Sequence, residues 1–235
     1  MSSKSIIAMG GGGFLMEESP LLDDFILSCA KGRASRVCFL ATASGDSDRM
    51  LVNFYTAMGS RCQASHLPLF RPDGRDPATQ LLDQDIIYVG GGSTLNMLAI
   101  WQIHGVDQAL VRAYEAGVAL CGVSAGALCW FEAGVTDSLG RLTAMDNGLG
   151  FLPGSFCPHY DGDPRRRSAY QRLISEGLKA GFAADMGAAM HFVDGALAEV
   201  VTSRPSARAY RLEQQAGEIR EQALHSRYLG AVGND

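Results

Sequence analysis

The stretch from Val118 to Gly134, VALCGVSAGALCWFEAG, sets a serine between two glycines where a strand-forming run meets a helix-forming one. Such a junction is either a nucleophile elbow or a tight turn that happens to contain serine. In an elbow the serine stands on a sharp strand-to-helix turn. Its neighbours are small because the backbone packs closely, and the helix that follows presents its N-terminal amides to a developing oxyanion. Residues 122–126, Gly-Val-Ser-Ala-Gly, match the G-x-S-x-G pattern in full. The competing reading is a helix N-cap serine with small neighbours for packing. The run before Ser124 is apolar without alternation, as in a strand buried on both faces. AGALCWFE after it is expected to start a helix.

Outward from this junction the chain alternates strand and helix. SIIAM (5–9), RVCFLATA (36–43), CQASHLPLF (62–70) and DIIYVGGGS (85–93) read as further strands. Helical spacing or composition marks 19–32, with Gly32 as a stop, and 47–60, 76–84, 94–104, 106–117 and 163–181. This alternation predicts a parallel sheet covered by helices. AAMHFVDGALAEVVT (188–202) reads as a hairpin turning at Asp194-Gly195. The polar tail after Ser203 is expected to be peripheral, with one more strand near Tyr210.

Of the 235 residues, 47% are hydrophobic and 19% charged, an ordinary globular balance, and no linker divides the chain, so one domain over 1–235 is expected. A net charge of -5 leaves no electrostatic footprint for nucleic acid. No run approaches the roughly 18–20 apolar residues that span a bilayer. The N-terminus lacks a signal-peptide pattern. A cytoplasmic protein with no membrane partner is the expectation. The six cysteines are scattered without C-x-x-C or zinc spacing, so reduced thiols and no metal are expected. Neither glycine cluster, 10–13 or 90–92, completes G-x-G-x-x-G, since residues 15 and 95 are leucine, and no P-loop is present. Glycines at strand ends instead let backbone amides approach a substrate, or simply make tight turns.

A serine nucleophile needs a base within hydrogen-bond reach. His66 and His191 lie in apolar strand-like runs, His104 near a helix end and His225 in the tail; His159 stands in a turn-rich segment, SFCPHYDGD, where a sheet commonly places catalytic groups. Glu132, Asp137, Asp146, Asp161 and Asp185 are candidates to orient the imidazole. Arg165-Arg166-Arg167 is either a solvated helix start or an anion-recognition cluster.

Taken together, YVGGGSTLNML, GVSAGALCWFE, GVTDS and CPHYDGD resemble peptidase family S51, the peptidase E or aspartyl dipeptidase group. The resemblance implies an α/β fold like that of class I glutamine amidotransferases: a flavodoxin-like three-layer sandwich with a mostly parallel central sheet and helices on both faces. It implies a serine peptidase without cofactor, acting through an acyl-enzyme on small peptides, including dipeptides with N-terminal aspartate; a homodimer is compatible with it. It maps the catalytic serine to Ser124, the histidine to His159 and the aspartate to Asp137. The oxyanion amides map to Gly92 or Gly91 and to Ala125. Ser93 stands where aspartyl dipeptidases tend to carry asparagine, and Arg166 is the nearest candidate to meet a substrate carboxylate. The rival readings are a cyanophycinase-like or other serine hydrolase on the same scaffold, and a non-catalytic ligand-binding domain that kept the elbow.

Overall fold

The computed structural model describes residues 3–17, 19–30 and 35–230. In chain order the first half comprises β1 (Ser5–Met9), α1 (Leu21–Ser28), β2 (Arg36–Leu40), α2 (Asp48–Met58), β3 (Gln63–His66), α3 (Pro77–Leu82), β4 (Ile86–Val89), α4 (Thr94–His104), α5 (Val106–Glu115) and β5 (Ala119–Val123). The second half comprises α6 (Ala125–Leu128), β6 (Phe131–Thr136), β7 (Thr143–Met145), β8 (Leu152–Cys157), α7 (Pro164–Ser175), β9 (Gly181–Ala184), β10 (Ala188–Val193), β11 (Ala196–Thr202), β12 (Ala209–Gln215), β13 (Glu218–Ala223) and β14 (Arg227–Tyr228). Gly32, the expected stop of α1, lies outside the described residues, and α1 closes on Cys29.

Eight strands form the main sheet in the order β14-β11-β10-β1-β5-β4-β2-β3. The run β1-β5-β4-β2-β3 is parallel throughout. β10 joins β1 antiparallel and pairs with β11 as the expected hairpin. Asp194 and Gly195 both take positive φ at its tip, as a tight right-twisted hairpin turn requires.

The apolar runs are continuous because both faces of this sheet are covered. Ile6, Ala8, Cys38, Leu40, Ile87 and Val89 point into one cluster with Met97, Trp101 and Leu110 of α4 and α5. Their neighbours Ile7, Met9, Val37, Phe39, Ile86 and Tyr88 point into the other, with Leu22, Ile26, Phe54 and Met58 of α1 and α2. This two-residue alternation between two cores is the three-layer arrangement written in side chains.

The region after Ser124 departs from expectation. α6 is a single four-residue turn, and the apolar run continues as strand β6 instead of a long helix. β6 opens a second sheet, ordered β13-β12-β9-β8-β6-β7. Phe131, Leu152 and Phe156 anchor it on the α4–α5 side of the main core. Phe131 and Phe156 stack with ring centroids 4.9 Å apart. Glu132, the last residue of the run expected to start a helix, is instead in β6, 3.0 Å from Lys179 and accepting the Gly154 amide.

The short α6 is held by backbone-on-backbone packing that admits no side chain. A Cβ on Gly126 would stand 2.3 Å from the carbonyl oxygen of Val89, and one on Gly122 would stand 2.1 Å from that of Gly126. Gly126→Ala is expected to cost about 3 kcal/mol or more, because neither partner is a movable side-chain tip. Thermal unfolding should register that as a Tm lower by roughly 6–12 °C.

Candidate active site

Ser124 sits at the end of β5, where the parallel sheet opens toward its loops. Its backbone takes φ 58° and ψ -114°, outside the regions that L-residues normally occupy. The Ser124 amide still completes the sheet by donating to the Met9 carbonyl, and its own carbonyl receives the amides of Ala127 and Leu128. The chain thus reverses in one residue, and the small residues on either side are what the reversal requires. Ser124 makes no side-chain cap hydrogen bond to α6, so its hydroxyl does not serve as the cap of that helix.

The hydroxyl instead meets His159, whose Nε2 lies 2.7 Å from Ser124 Oγ. His159 follows β8 and is itself at φ 53°. Its amide donates to the Gly10 carbonyl, which ties the histidine loop to the end of β1. The first glycine cluster makes this approach possible: a Cβ on Gly11 would fall 3.0 Å from His159 Nδ1 and 2.3 Å from Met186 Sδ.

On its far side the imidazole faces sulfur, with Nδ1 2.7 Å from Met186 Sδ. A thioether can only accept, so this contact favours the tautomer with the proton on Nδ1 and leaves Nε2 free to take the serine proton. A thioether carries no charge to stabilise imidazolium. Burial and the Arg166 guanidinium lower the His159 pKa to about 4, against the raising fields of Asp137 and Asp161.

Asp137 is not brought to the imidazole. Its carboxylate lies 2.5 Å from Arg166 Nη2, because the α7 arginine is buried at 5% exposure and needs the charge. The same pair removes Arg166 from the role the resemblance gave it, since a guanidinium enclosed in the fold and bound to Asp137 does not stand free for a substrate carboxylate. Asp161 accepts the Met186 amide and lies 3.5 Å from Arg204. Asp185 accepts the Arg208 amide, and Asp146 is exposed. Of the other histidines, His66 bonds Tyr55 and His191 bonds Ser5.

Gly91 borders Ser124, Gly92 follows Gly91 in the chain, and Ala125 is the residue after the serine. A Cβ on Gly91 would lie 3.4 Å from Ser124 Cβ, and Gly92 has φ 141° with the Ala43 carbonyl against the place of its missing Cβ. Among the described residues, the amides of Gly91, Gly92 and Ala125 donate to no backbone carbonyl in the loops and turns. Ser93 caps α4, its hydroxyl accepting the Asn96 amide at 3.3 Å. Chemically, the contact combines a hydroxyl with a neutral nitrogen that can accept its proton. Among the described residues, no three His, Cys, Asp or Glu side chains form a metal-binding group, and no helix is long and apolar enough to cross a membrane.

Among solved structures, a peptidase from an acI-B1 Actinobacterium superposes with a TM-score of 0.68 at 18% identity, covering 95% of each chain. A putative peptidase E from Listeria monocytogenes EGD-e superposes at 0.64 and 21% identity, covering 87% of this chain and 100% of that one. These likenesses concern the fold. In sequence, the uncharacterized peptidase YgaJ of Bacillus subtilis (strain 168) is 51% identical over 97% of this chain and 100% of its own length. Peptidase E of Streptomyces coelicolor (strain ATCC BAA-471 / A3(2) / M145) is 32% identical over 39% of each chain. The model of peptidase family S51 matches residues 6–200, a span that includes Ser124, the second glycine cluster and the His159 loop. On that match, and on the near full-length relative, the chain belongs to peptidase family S51.

Proposed function

We propose that the protein is a serine peptidase that cleaves short peptides through an acyl-enzyme on Ser124. The contact between Ser124 Oγ and His159 Nε2 at 2.7 Å is the observation that carries this reading. Ser124 attacks the scissile carbonyl while His159 Nε2 takes the hydroxyl proton. Negative charge gathering on the carbonyl oxygen is met by the amides of Ala125 and of Gly91 or Gly92. His159 then delivers the proton to the leaving amine, the C–N bond breaks, and the acyl group stays on Ser124. A water molecule activated by the same imidazole releases it. Met186 holds the tautomer in the place where a carboxylate would also stabilise the cation.

An N-terminal aspartate preference, which the family resemblance implies, gains no support from Arg166, whose charge is committed to Asp137. The reading is therefore held at short peptides.

The pH profile tests the assignment of His159. Only neutral imidazole accepts a proton, and its pKa of about 4 leaves the base form dominant above that pH. The acid limb of kcat/KM against a dipeptide panel, followed by amine release, is expected near pH 4 instead of near the ordinary 6.5. An acid limb at 6.5 or above would contradict the buried, carboxylate-free imidazole described here.

A further inference from the structure

The hold of Met186 on the imidazole does not follow from its side chain alone. Methionine has three rotatable bonds, and a thioether is a weak acceptor with little direction of its own. Its sulfur stays at His159 Nδ1 only if the backbone at 186 is fixed. On either side of that residue the ties are between main chains. The Asp185 amide donates to the Arg208 carbonyl, and the Gly187 amide donates to the Gly11 carbonyl. At Met186 itself the amide donates to a side chain, Asp161 Oδ1, at 2.7 Å.

Asp161 belongs to the loop that carries the base. It follows His159 by two residues, in a turn closed by the Gly162 amide on the His159 carbonyl at 3.0 Å. The turn is anchored to the sheets at both of its first residues, His159 to the Gly10 carbonyl and Tyr160 to the Ala184 carbonyl. One loop therefore fixes the imidazole twice. It does so directly through the backbone of His159, and indirectly through Asp161, which holds the residue whose sulfur meets Nδ1. The space between the two loops is small. A Cβ on Gly162 would stand 3.5 Å from His159 Cβ and 3.6 Å from Met186 Cγ. The second carboxylate oxygen, Oδ2, lies 3.5 Å from Arg204 Nη2, so each oxygen serves a different partner. The charge of Asp161 also raises the His159 pKa, against burial and Arg166. Bond and charge are separable, because asparagine keeps the first and lacks the second.

We propose that Asp161 is a positioning residue: by holding the Met186 amide it fixes the thioether on His159 Nδ1 and keeps Nε2 bare toward Ser124. Its effect on rate rests on the peptidase reading above; its effect on the imidazole does not. NMR of protein carrying nitrogen-15 histidine reads the tautomer near pH 7, where His159, with a pKa of about 4, is neutral. The spectrum of His159→Gln assigns the signals. The unmodified protein is expected to carry the proton on Nδ1 alone. Asp161→Ala should populate both tautomers. Its kcat on a dipeptide panel should fall at least about tenfold with KM changed by less than about threefold, since a displaced base costs the chemical step and not binding. Asp161→Asn should keep the single tautomer and a kcat within about threefold of the unmodified protein, because an amide oxygen accepts the same bond without the charge. Asp161→Leu, with the shape of aspartate and no acceptor, replaces the alanine protein if that one does not fold. A proton on Nε2 in the unmodified protein overturns the proposal. So does a single Nδ1–H tautomer or an unchanged kcat in the folded variant without the acceptor, or an asparagine variant as slow as that one. Tautomers that respond as expected in a protein that hydrolyses no peptide would remove the peptidase reading and leave Asp161 in its role. Hydrolysis with a tautomer indifferent to Asp161 would do the reverse.

Discussion

Ser124→Ala is expected to lower kcat/KM for short peptides by at least about 10⁴-fold, the scale of loss when a nucleophile that works as a unit with its base is removed. The fold should be unaffected. Alanine suffers the same steric conflict as serine at φ 58° and ψ -114°, and the hydroxyl makes no cap bond to α6 whose loss would be felt. Ser124→Gly separates the two properties of the elbow. Glycine relieves the strained backbone, so this variant should be inactive yet more stable by about 1–3 kcal/mol. Thermal melts of the three proteins, beside their peptide turnover, would check both halves. A glycine variant that melts lower than the unmodified protein would show that the elbow carries no conformational cost.

His159→Gln should lower kcat/KM by about 10³-fold or more, since it removes the proton acceptor and leaves the oxyanion donors in place. Asp137→Asn should behave differently. The carboxylate is hydrogen-bonded to Arg166, not to the imidazole, and acts on His159 only through its field. Turnover in Asp137→Asn is therefore expected to stay within about tenfold, while the buried Arg166 loses its counter-charge and Tm falls. A steady-state comparison decides this: an Asp137→Asn loss as large as that of His159→Gln would restore Asp137 to the imidazole.

This contrast marks where residue order stops carrying information. The parallel half of the main sheet was legible because strands covered on both faces read as unbroken apolar runs, and SIIAM, RVCFL, IIYV and ALCGV are such runs. Of the second sheet, the strand near Tyr210 was legible as β12, and the strands nearest the main core were not. Those strands, FEAGVT, LPGSFC and GFAA, carry glycine, proline and alanine, residues that form strands only where neighbours impose them. Phe131 lies in β6 because it stacks on Phe156, a contact set by packing and not by local preference.

In the site, the sharp turn at Ser124 was legible because a one-residue reversal demands small neighbours. His159 stood out by its turn-rich surroundings and by the family resemblance. Met186 gave no chemical signal, since a methionine in DMGAAM reads as an apolar filler; its place at Nδ1 follows from the loop between β9 and β10 closing over Gly11. The Asp137–Arg166 pair was equally silent. The two residues belong to separate stretches of chain, and only burial of the guanidinium makes that carboxylate necessary there.

The direct measurement is active-site labelling with a fluorophosphonate, read by intact-protein and peptide mass spectrometry. One adduct per chain on Ser124 is expected, with the rate sharply reduced in His159→Gln and no adduct at that peptide in Ser124→Ala. Labelling at a different residue, or at Ser124 with the same rate whether or not His159 is present, would contradict a hydroxyl activated by that imidazole.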